Sequence, residues 1–477
     1  MLINIENKPN TLIQGMAFET YVINVLKDYL SVQKKSICPA LDNELFDAYL
    51  PDGINDEITE PLHLEIKYLN TNKSGYFRSI EHFSKAISET SSGAVLIIIG
   101  ESFTQPSIES LTKLAQCKAK RKVYIWDIDT FDNYTKDFQQ NHKKYINNPT
   151  KAILENAIKN QNNTINVSET QEKLLISLKK KYQNEELTLF LGAGVSIDAG
   201  IPLWKDLINL MFSEMILEIA NKNHNSLLSQ NMLEIMNLAY NNQEESPLAQ
   251  MRYIRGAFET KEYHKLLHKI LYKNKVNTNT KLLKAIAENC IPKRNHIGVR
   301  SIITYNFDDL IEKCLKKYKI ATNVIDSELG STSPDKLSIF HVHGYMPSKI
   351  ENYDDNNELV FSEENYHRIY RDVYCWSNIV QLNYLRETTG LFIGCSLTDP
   401  NLRRLLDIAI RNNERPRHYA FLKRNMLSNN DINQKAIDEF NKIDLSLKEK
   451  YYASLGLNII WINEYDEIPQ ILNTFLE

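Results

Sequence analysis

The sequence has few cysteines and does not arrange them in pairs. Six occur among 477 residues, and no two of them stand in a CxxC spacing. Zinc ribbons need such closely spaced pairs, and small secreted proteins use a dense cysteine framework, so the sequence disfavours both classes. We therefore expect no zinc and a reducing, cytoplasmic location. The cysteines are Cys38, Cys117, Cys290, Cys314, Cys375 and Cys395.

The sequence also lacks a long apolar run and a strong charge of either sign. No stretch approaches the length of about 20 apolar residues that crosses a bilayer, and the N-terminus has no signal-peptide pattern, so we expect no membrane contact. The net charge is -4, so any nucleic-acid surface must be local. A composition of 43% hydrophobic and 24% charged residues is typical of a folded protein, and the length predicts two or three domains.

The pattern of apolar residues predicts a small α/β domain over residues 1–135. Helices are expected at 14–30 and 79–91, and strands at 45–50, 62–69, 94–100 and 123–128. Residues 136–170 are rich in Asn and Lys and are predicted to be a linker with one weak helix near 152–159.

Residues 171–477 are predicted to form a second, larger α/β domain. Apolar strands are expected at 188–191, 301–305, 338–343, 391–394, 418–422 and 458–462, with helices between them. This alternation predicts a parallel, doubly wound sheet. A wholly helical stretch at about 207–290 is too long for one crossover and indicates a helical insertion.

The segment LFLGAGVSIDAGIPLWKDL, residues 189–207, ends an apolar strand in a turn of small residues. Gly192 and Gly194 permit a tight turn and a close approach of the backbone to a phosphate. Gly200 follows too late for the G-x-G-x-x-G fingerprint of dinucleotide-binding domains. This segment alone favours a nucleotide only slightly over a structural turn.

Polar residues follow three other predicted strands, in IITYNFDD, FHVHG and LFIGCSLTDPN. The carboxyl ends of parallel strands line one crevice, so Asn306, Asp308, His343, Gly394 and Ser396 are expected to face the Gly192 turn. Each residue also has a structural interpretation. His343 is interpreted alternatively as a hydrogen-bonding group, Asn306 as a turn residue and Asp308 as a helix N-cap. For Asp399 we favour a turn and cap, and for Trp204 packing.

The ordered motifs GAGVSIDAGIP, TYNFD, HVHG and GCS resemble the catalytic core of sirtuins, and in particular the prokaryotic sirtuin-like NAD-hydrolase branch of antiphage defence. The resemblance implies a Rossmann-type fold. It also implies that Asn306 and Asp308 hold the nicotinamide ribose and its leaving amide, and that His343 is the general base. NAD would be bound by Gly192, Ala193, Gly194, Ser196, Pro202, Gly394 and Ser396.

Two departures from this resemblance bear on the reaction. Sirtuin deacylases carry a four-cysteine zinc module, which is missing here, and Asp-Phe-Arg after the GIP motif, where this chain has Leu203-Trp204-Lys205. Both put deacylation in doubt and favour water as the acceptor. The expected reaction is hydrolysis of NAD to ADP-ribose and nicotinamide, with cyclisation left open.

Three residues of the first domain suggest a second chemistry. Asp47 lies on one predicted strand, and Glu65 and Lys67 share a face of the next. Such carboxylates suit Mg²⁺, and a lysine stabilises developing charge, but a solvated salt bridge explains Glu65 and Lys67 equally well. With GMAFE at 15–19, the set resembles the Mrr-type branch of the PD-(D/E)xK restriction endonucleases. This resemblance implies metal ligands at Asp47 and Glu65, a catalytic Lys67 and an assisting Glu19.

These observations lead to three hypotheses. The first is a defence effector that depletes NAD and whose nuclease-like domain senses or cuts DNA or RNA. The alternative is a metal-dependent DNA endonuclease whose sirtuin-like domain only senses NAD or ADP-ribose. The third is a non-catalytic subunit that recruits an ATPase, such as a HerA-type translocase. Because uncontrolled NAD loss is toxic, we also expect gating by a partner, by nucleic acid or by homo-oligomerisation.

Overall fold

The computed structural model describes residues 11–39, 46–68, 73–89, 93–148, 167–222, 247–273, 276–292, 298–349, 359–372, 374–410, 416–428 and 433–476. The predicted helix at 152–159, part of the predicted linker and residues 223–246 of the predicted insertion lie outside the described residues. The chain divides into two compact units. Unit 1 comprises Met1–Thr164, Ile410–Pro416 and Leu427–Gly456, and unit 2 comprises Ile165–Ala409, Arg417–Met426 and Leu457–Glu477.

Unit 1 contains a mixed sheet with helices on both faces. Its strands, in spatial order, are β1 (Cys38–Pro39), β2 (Ala48–Leu50), β3 (Leu62–Lys67), β4 (Ala94–Ile99) and β5 (Val123–Trp126). The first two pairings are antiparallel and the last two parallel. The helices described in this unit are α1 (Thr11–Val32), α2 (Lys73–Ala86), α3 (Gln105–Ala119), α4 (Ile128–Thr135), α5 (Lys144–Asn147) and, near the C-terminus, α15 (Gln434–Ser454).

Alternation along the strands of unit 1 divides its core into two layers. On β4, Leu96 and Ile98 pack with α1 on one face, whereas Val95, Ile97 and Ile99 pack with α2 and α3 on the other. Successive side chains of a strand point to opposite faces, so a strand covered on both sides is apolar throughout. This explains why AVLIII is fully buried.

Unit 2 is built on a parallel sheet. In chain order its strands are β6 (Leu187–Leu191), β7 (Val299–Thr304), β8 (Thr322–Ile325), β9 (Leu337–His341), β10 (Thr389–Ile393), β11 (His418–Lys423) and β12 (Leu457–Ile462). Its described helices are α6 (Val167–Gln183), α7 (Trp204–Lys222), α8 (Pro247–Gly256), α9 (Thr260–Leu271), α10 (Lys281–Asn289), α11 (Leu310–Lys317), α12 (Glu363–Arg371), α13 (Trp376–Glu387), α14 (Pro400–Ala409) and α16 (Glu467–Asn473).

The strand order of unit 2 is β12-β11-β10-β6-β7-β9-β8, and each described pairing in it is parallel. β6 is central, with β7 on one side and β10 on the other, so the chain reverses its direction of sheet growth at β6. A parallel sheet opens a crevice at such a switch point, at the carboxyl ends of the strands. The predicted parallel α/β sheet is therefore confirmed, and the switch point lies where the Gly192 turn begins.

Two features of the sheet differ from the prediction. β8 was not predicted because the sequence TNVI is short and only half-buried at the sheet edge. β9 ends at His341, so His343 lies in the following turn rather than on the strand.

The described parts of the predicted insertion contain α7, α8, α9 and α10. Among the described helices, none has the length and apolar character needed to cross a membrane.

Candidate active site at the carboxyl edge of the parallel sheet

The turn after β6 is packed tightly against the turn after β10. Gly192 N donates to the carbonyl of Ile393 at 2.9 Å, and Gly194 N donates to the carbonyl of Gly394 at 3.0 Å. A Cβ on Gly192 would lie 2.6 Å from Gly394 O, and one on Gly194 would lie 2.7 Å from Gly394 Cα. These glycines are therefore required by the approach of two backbones, apart from any ligand.

Asn306, just beyond β7, joins the Gly192 turn to the neighbouring strand. Its Nδ2 donates to the Gly192 carbonyl at 3.1 Å and to Ser196 Oγ at 3.2 Å. A carbonyl can only accept, so the amide nitrogen must face Gly192 and Oδ1 must face away from it. Asn306 thus presents an acceptor oxygen from a fixed side chain.

Two groups on α11 and β9 hold the backbone of Asn306. His341 Nδ1 donates to the Asn306 carbonyl at 2.9 Å, and His341 Nε2 lies 2.6 Å from Glu312 Oε1. Burial alone would lower the pKa of His341, but the charge and hydrogen bond of Glu312 and the Asn306 carbonyl raise it above its usual value. Sequence analysis missed this support, because His341 and Glu312 carry no motif of their own.

Asp308 is 4% exposed and lies beneath the same turn. Its Oδ1 accepts from Leu310 N at 3.1 Å at the start of α11, and its carboxylate also accepts from the Ser196 hydroxyl. Burial raises the pKa of Asp308 to about 6, although both hydrogen bonds oppose the shift. The alternative interpretation of Asp308 as the helix N-cap is wrong by one position, since the N-cap residue of α11 is Asp309, and Asp308 lines the cavity described below.

His343 is 5% exposed and follows β9 in the turn that ends at Gly344. Its carbonyl accepts from Val360 N at 2.7 Å, which fixes the backbone. Burial lowers the pKa of the imidazole, and the charge of Asp399, whose Oδ2 lies 3.8 Å from Nε2, opposes this shift. A lowered pKa means that His343 is neutral at pH 7 and able to accept a proton.

These groups surround a cavity of about 520 Å³. It is within the range of small-ligand sites, and its walls are largely apolar with a few converging polar groups, as such sites are. Ser196 is 1% exposed and supports the wall through Asn306. Of the predicted site residues, the lining includes Gly192, Ala193, Pro202, Asn306, Asp308, His343, Gly394 and Ser396.

The lining residues that were not predicted as site residues include Trp204, Tyr305, Tyr366 and Asp399. Trp204 packs against Phe361 and Tyr366, so its predicted packing role is correct but incomplete. Asp399 caps α14 as predicted, because its Oδ1 accepts from Leu402 N at 2.8 Å. The sequence Asp-Pro before a helix predicts the cap at Asp399. No sequence pattern predicts that Oδ2 of Asp399 lies near His343.

The predicted metal-binding residues of unit 1 are partly brought together. Lys67 Nζ lies 2.8 Å from Glu65 Oε1, with both side chains almost fully buried, and Asp47 Oδ2 accepts from Ile66 N at 2.7 Å. Glu19 lies on α1, next to Phe18, which packs on Tyr68. Two carboxylates and water are a donor set that fits Mg²⁺. Within the described residues, however, no group of three or more His, Cys, Asp or Glu is arranged to hold a metal ion.

Residues 300–447 match the family model of the SIR2-like domain. The NAD(+) hydrolase ThsA of Enterococcus faecium is 25% identical over 303 residues, which cover 60% of this chain and 54% of that protein. The NAD(+) hydrolase ThsA of Bacillus cereus (strain MSX-D12) is 24% identical over 301 residues, or 61% and 54% of the two chains. That of Cytobacillus dafuensis is 22% identical over 317 residues, or 64% and 56%.

Most of the SIR2-like match lies in the unit that holds the cavity. The SIR2-like match includes Asn306, Asp308, His343 and Asp399, and it begins after the Gly192 turn. The chain spans about half the length of the curated relatives that it matches. The predicted sirtuin-like character of the chain is therefore confirmed for the SIR2-like region, whereas the resemblance of unit 1 to restriction endonucleases stays a prediction.

Proposed function

We propose that unit 2 hydrolyses NAD to ADP-ribose and nicotinamide in the cavity at the carboxyl edge of its sheet. The observation that carries the proposal is that Asn306, fixed to the Gly192 turn, and the buried His343 line one cavity. The names of the three relatives, all NAD(+) hydrolases, support the same reaction.

Hydrolysis of NAD needs little covalent help from the protein. Nicotinamide leaves as a neutral molecule from a cationic glycoside, so breaking the C1′–N bond returns the bonding pair to the ring nitrogen. Water forms the new C1′–O bond and gives up one proton. The protein must therefore orient the ribose, exclude competing groups and accept that proton.

Asn306 and His343 suit these two tasks. Asn306 Oδ1 is available to accept a hydrogen bond from the attacking water or from a ribose hydroxyl, because the amide nitrogen is held by Gly192 and Ser196. His343, neutral at pH 7 because burial lowers its pKa, acts as the general base. Asp308 holds Ser196 and the start of α11, and thereby keeps the ribose end of the site in place.

The proposed binding set for NAD follows the edge of the cavity. Ala193, Gly394 and Ser396 lie at the carboxyl ends of β6 and β10, where the pyrophosphate and the adenosine half would lie, and Pro202 lies on the segment that leads into α7. Gly194 and Ser196 belong to the turn after β6 and hold its backbone in place. Lys205 is the lining residue with a positive charge, and it is placed to meet the phosphates.

The proposed cellular role is antiphage defence by depletion of NAD in the cytoplasm. A cell survives such an enzyme only when its activity is gated, and we expect gating by homo-oligomerisation, by nucleic acid at unit 1 or by a partner ATPase such as a HerA-type translocase. Each of these partners is a prediction from the logic of a toxic activity.

The direct test is the loss of NAD from a solution of the purified full chain, with and without DNA and RNA. His343→Ala and Asn306→Ala are expected to lower the rate by about 100-fold or more, the usual cost of losing a general base or a preorganised polar group. Lys118→Met, which removes a half-exposed ion pair in unit 1, is the control and is expected to leave basal NAD loss unchanged. Equal NAD loss in wild type and both site variants would contradict the proposal.

A second candidate function, a metal-dependent endonuclease, is favoured by the cluster of Asp47, Glu65 and Lys67 in unit 1. Asp47 and Glu65 would hold Mg²⁺, with Glu19 assisting, and the ion would supply charge stabilisation at a phosphate. Lys67 would then be released from Glu65 to stabilise the leaving group. In this function, unit 2 would sense NAD or ADP-ribose.

The two candidates are separated by a plasmid-cleavage assay in Mg²⁺. Cleavage that is lost in Glu65→Gln, while NAD remains intact under every condition, would select the endonuclease. Activity in neither assay, with NAD and plasmid both intact, together with formation of a stable complex with an ATPase or another module, would point to a non-catalytic subunit.

A further inference from the structure

Three side chains from three elements of unit 2 surround the His343 imidazole. Tyr305, just after β7, and Tyr366, on α12, contact the ring edge to face, with centroid distances of 5.0 and 6.0 Å. Asp399, before α14, brings Oδ2 to 3.8 Å from Nε2. The imidazole is therefore contacted by two phenol rings and approached at one nitrogen by a carboxylate.

The Asp399 carboxylate is itself held in place at both oxygens. Oδ1 accepts from Leu402 N at 2.8 Å in the first turn of α14. Oδ2 accepts from the hydroxyl of Tyr366, which is 4% exposed. A carboxylate fixed by a helix N-terminus and a buried phenol cannot turn freely, so its second oxygen stays directed toward His343.

We propose that Asp399 and Tyr366 are positioning residues for His343: Asp399 holds the proton of the imidazole on Nε2, and Tyr366 holds Asp399. The tautomer of a histidine is set by the partner of one nitrogen, so a carboxylate beside Nε2 leaves the lone pair on Nδ1. Nδ1 is then the atom that accepts the proton of the attacking water. This inference rests on the proposed NAD hydrolysis for its purpose but not for its geometry.

At a separation of 3.8 Å, Asp399 Oδ2 and His343 Nε2 are within ion-pair distance of each other. Hydrogen bonds of a general base are often long before the substrate binds and shorten in the complex. Both tyrosines stay neutral, since burial raises the pKa of Tyr305 and of Tyr366. Asp399 is thus the charged group that faces His343 among the described residues packed against it, and it opposes the lowering of the His343 pKa by burial.

The test uses the full chain labelled with ¹³C and ¹⁵N at histidine. The signal of His343 is identified as the one missing from His343→Gln. Asp399→Asn removes the charge but keeps an oxygen that can cap α14, and Tyr366→Phe removes only the hydroxyl. Tyr370→Phe is the matched control, because Tyr370 lies one turn further along α12, with its ring 6.3 Å from that of Tyr366.

In the wild type the ¹⁵N shifts should report the tautomer with the proton on Nε2. Asp399→Asn should lower the titration midpoint of His343 by about one pH unit, because an opposite charge that raised the pKa is gone. Tyr366→Phe should produce a mixture of tautomers, and Tyr370→Phe should match the wild type. The kcat for NAD should fall roughly tenfold to a hundredfold in Asp399→Asn, as when the partner of a functional histidine is removed, with KM changed much less.

Unchanged titration and tautomer in both Asp399→Asn and Tyr366→Phe would overturn the positioning role. If the wild type hydrolyses NAD and Asp399→Asn has the same kcat, the positioning role is overturned as well. A purely structural role would lower the melting temperature without moving the titration, and that result also counts against it. If the wild type leaves NAD intact while the titration moves as expected, the pairing stands and the proposed function fails.

Discussion

The two units of the chain each gather polar side chains at strand ends, but the two clusters are built differently. In unit 1 the cluster is neutralised internally, since Glu65 is paired with Lys67 at 2.8 Å and Asp47 is bound by a backbone N–H. In unit 2, hydrogen bonds hold the side chains of Asn306 and Asp308 and the backbone of His343. These three residues line a cavity of about 520 Å³. A site for chemistry needs groups that are held and yet open to a ligand. The second cluster has both properties, whereas the side chains of Glu65 and Lys67 are almost fully buried.

The largest expected effect is on stability and tests the neutralised cluster of unit 1. Lys67→Met keeps an unbranched side chain but removes the positive charge that lies beside a buried carboxylate and over the Phe83 ring. We expect a loss of about 3–5 kcal/mol in the free energy of unfolding, measured by urea denaturation.

The control for Lys67→Met is Lys118→Met, which removes the half-exposed pair with Glu81. This change should cost about 1 kcal/mol or less, because water screens exposed ion pairs. An equal loss in the free energy of unfolding at the two positions would show that Glu65 and Lys67 do not form a buried ion pair.

The next effect tests the scaffold of the cavity. Gly394→Ala places a Cβ 2.6 Å from Val195 N at a residue with φ +67°, so both contact and backbone oppose it. We expect the free energy of unfolding to fall by about 2–3 kcal/mol. Calorimetry should also show that NAD binding is lost. Gly256→Ala is the matched change, because a Cβ there would meet nothing within 4 Å, and it should leave both unchanged. A neutral Gly394→Ala would mean that the two turns are not packed as described.

A smaller effect concerns the pH dependence of stability. Burial raises the pKa of Asp308 from 3.8 to about 6, so the folded state holds a proton that the unfolded state releases between these values. The contribution of Asp308 to stability is therefore greatest below about pH 4 and is lost as the pH rises through about 6. Asp308→Asn should be more stable than wild type at pH 7 by about 1–3 kcal/mol and equal to it near pH 3.

The measurement for Asp308→Asn is urea denaturation at a series of pH values. Asn can still accept from Leu310 N and donate to Ser196, so the variant is expected to fold. A stability difference that does not change with pH would contradict the raised pKa of Asp308.

The smallest effect tests the rim of the cavity. Ser396 is exposed, and its hydroxyl is paired with Thr398 at 2.7 Å. Ser396→Ala should change the free energy of unfolding by about 0.5 kcal/mol or less, as surface changes do, while it raises KM for NAD a few-fold. Unchanged KM would remove Ser396 from the proposed binding set.

The sequence was informative where the chain signals its own turns. Glycines that end apolar strands predicted the edge of the sheet at Gly192 and Gly394, and their reason is the close approach of two backbones. Asn306 and His343 were found because they follow strands whose ends must converge. These features depend on local order along the chain.

The rest of the site depends on contacts between distant segments, which a single sequence does not reveal. Tyr366 and Asp399 reach His343 from α12 and from the loop before α14, and His341 and Glu312 meet behind Asn306. The missed strand β8 is an edge strand with a weak pattern. In unit 1, sequence spacing placed Glu65 and Lys67 on one face, but it could not distinguish a site from an ion pair.

The central claim, that unit 2 destroys NAD through Asn306, is tested most directly by the NAD content of cells that express the chain. Wild type and Lys118→Met are expected to lower cellular NAD, whereas cells with Asn306→Ala keep the level of cells without the protein. Equal NAD in wild-type and Asn306→Ala cells, at equal expression of folded protein, would contradict the claim.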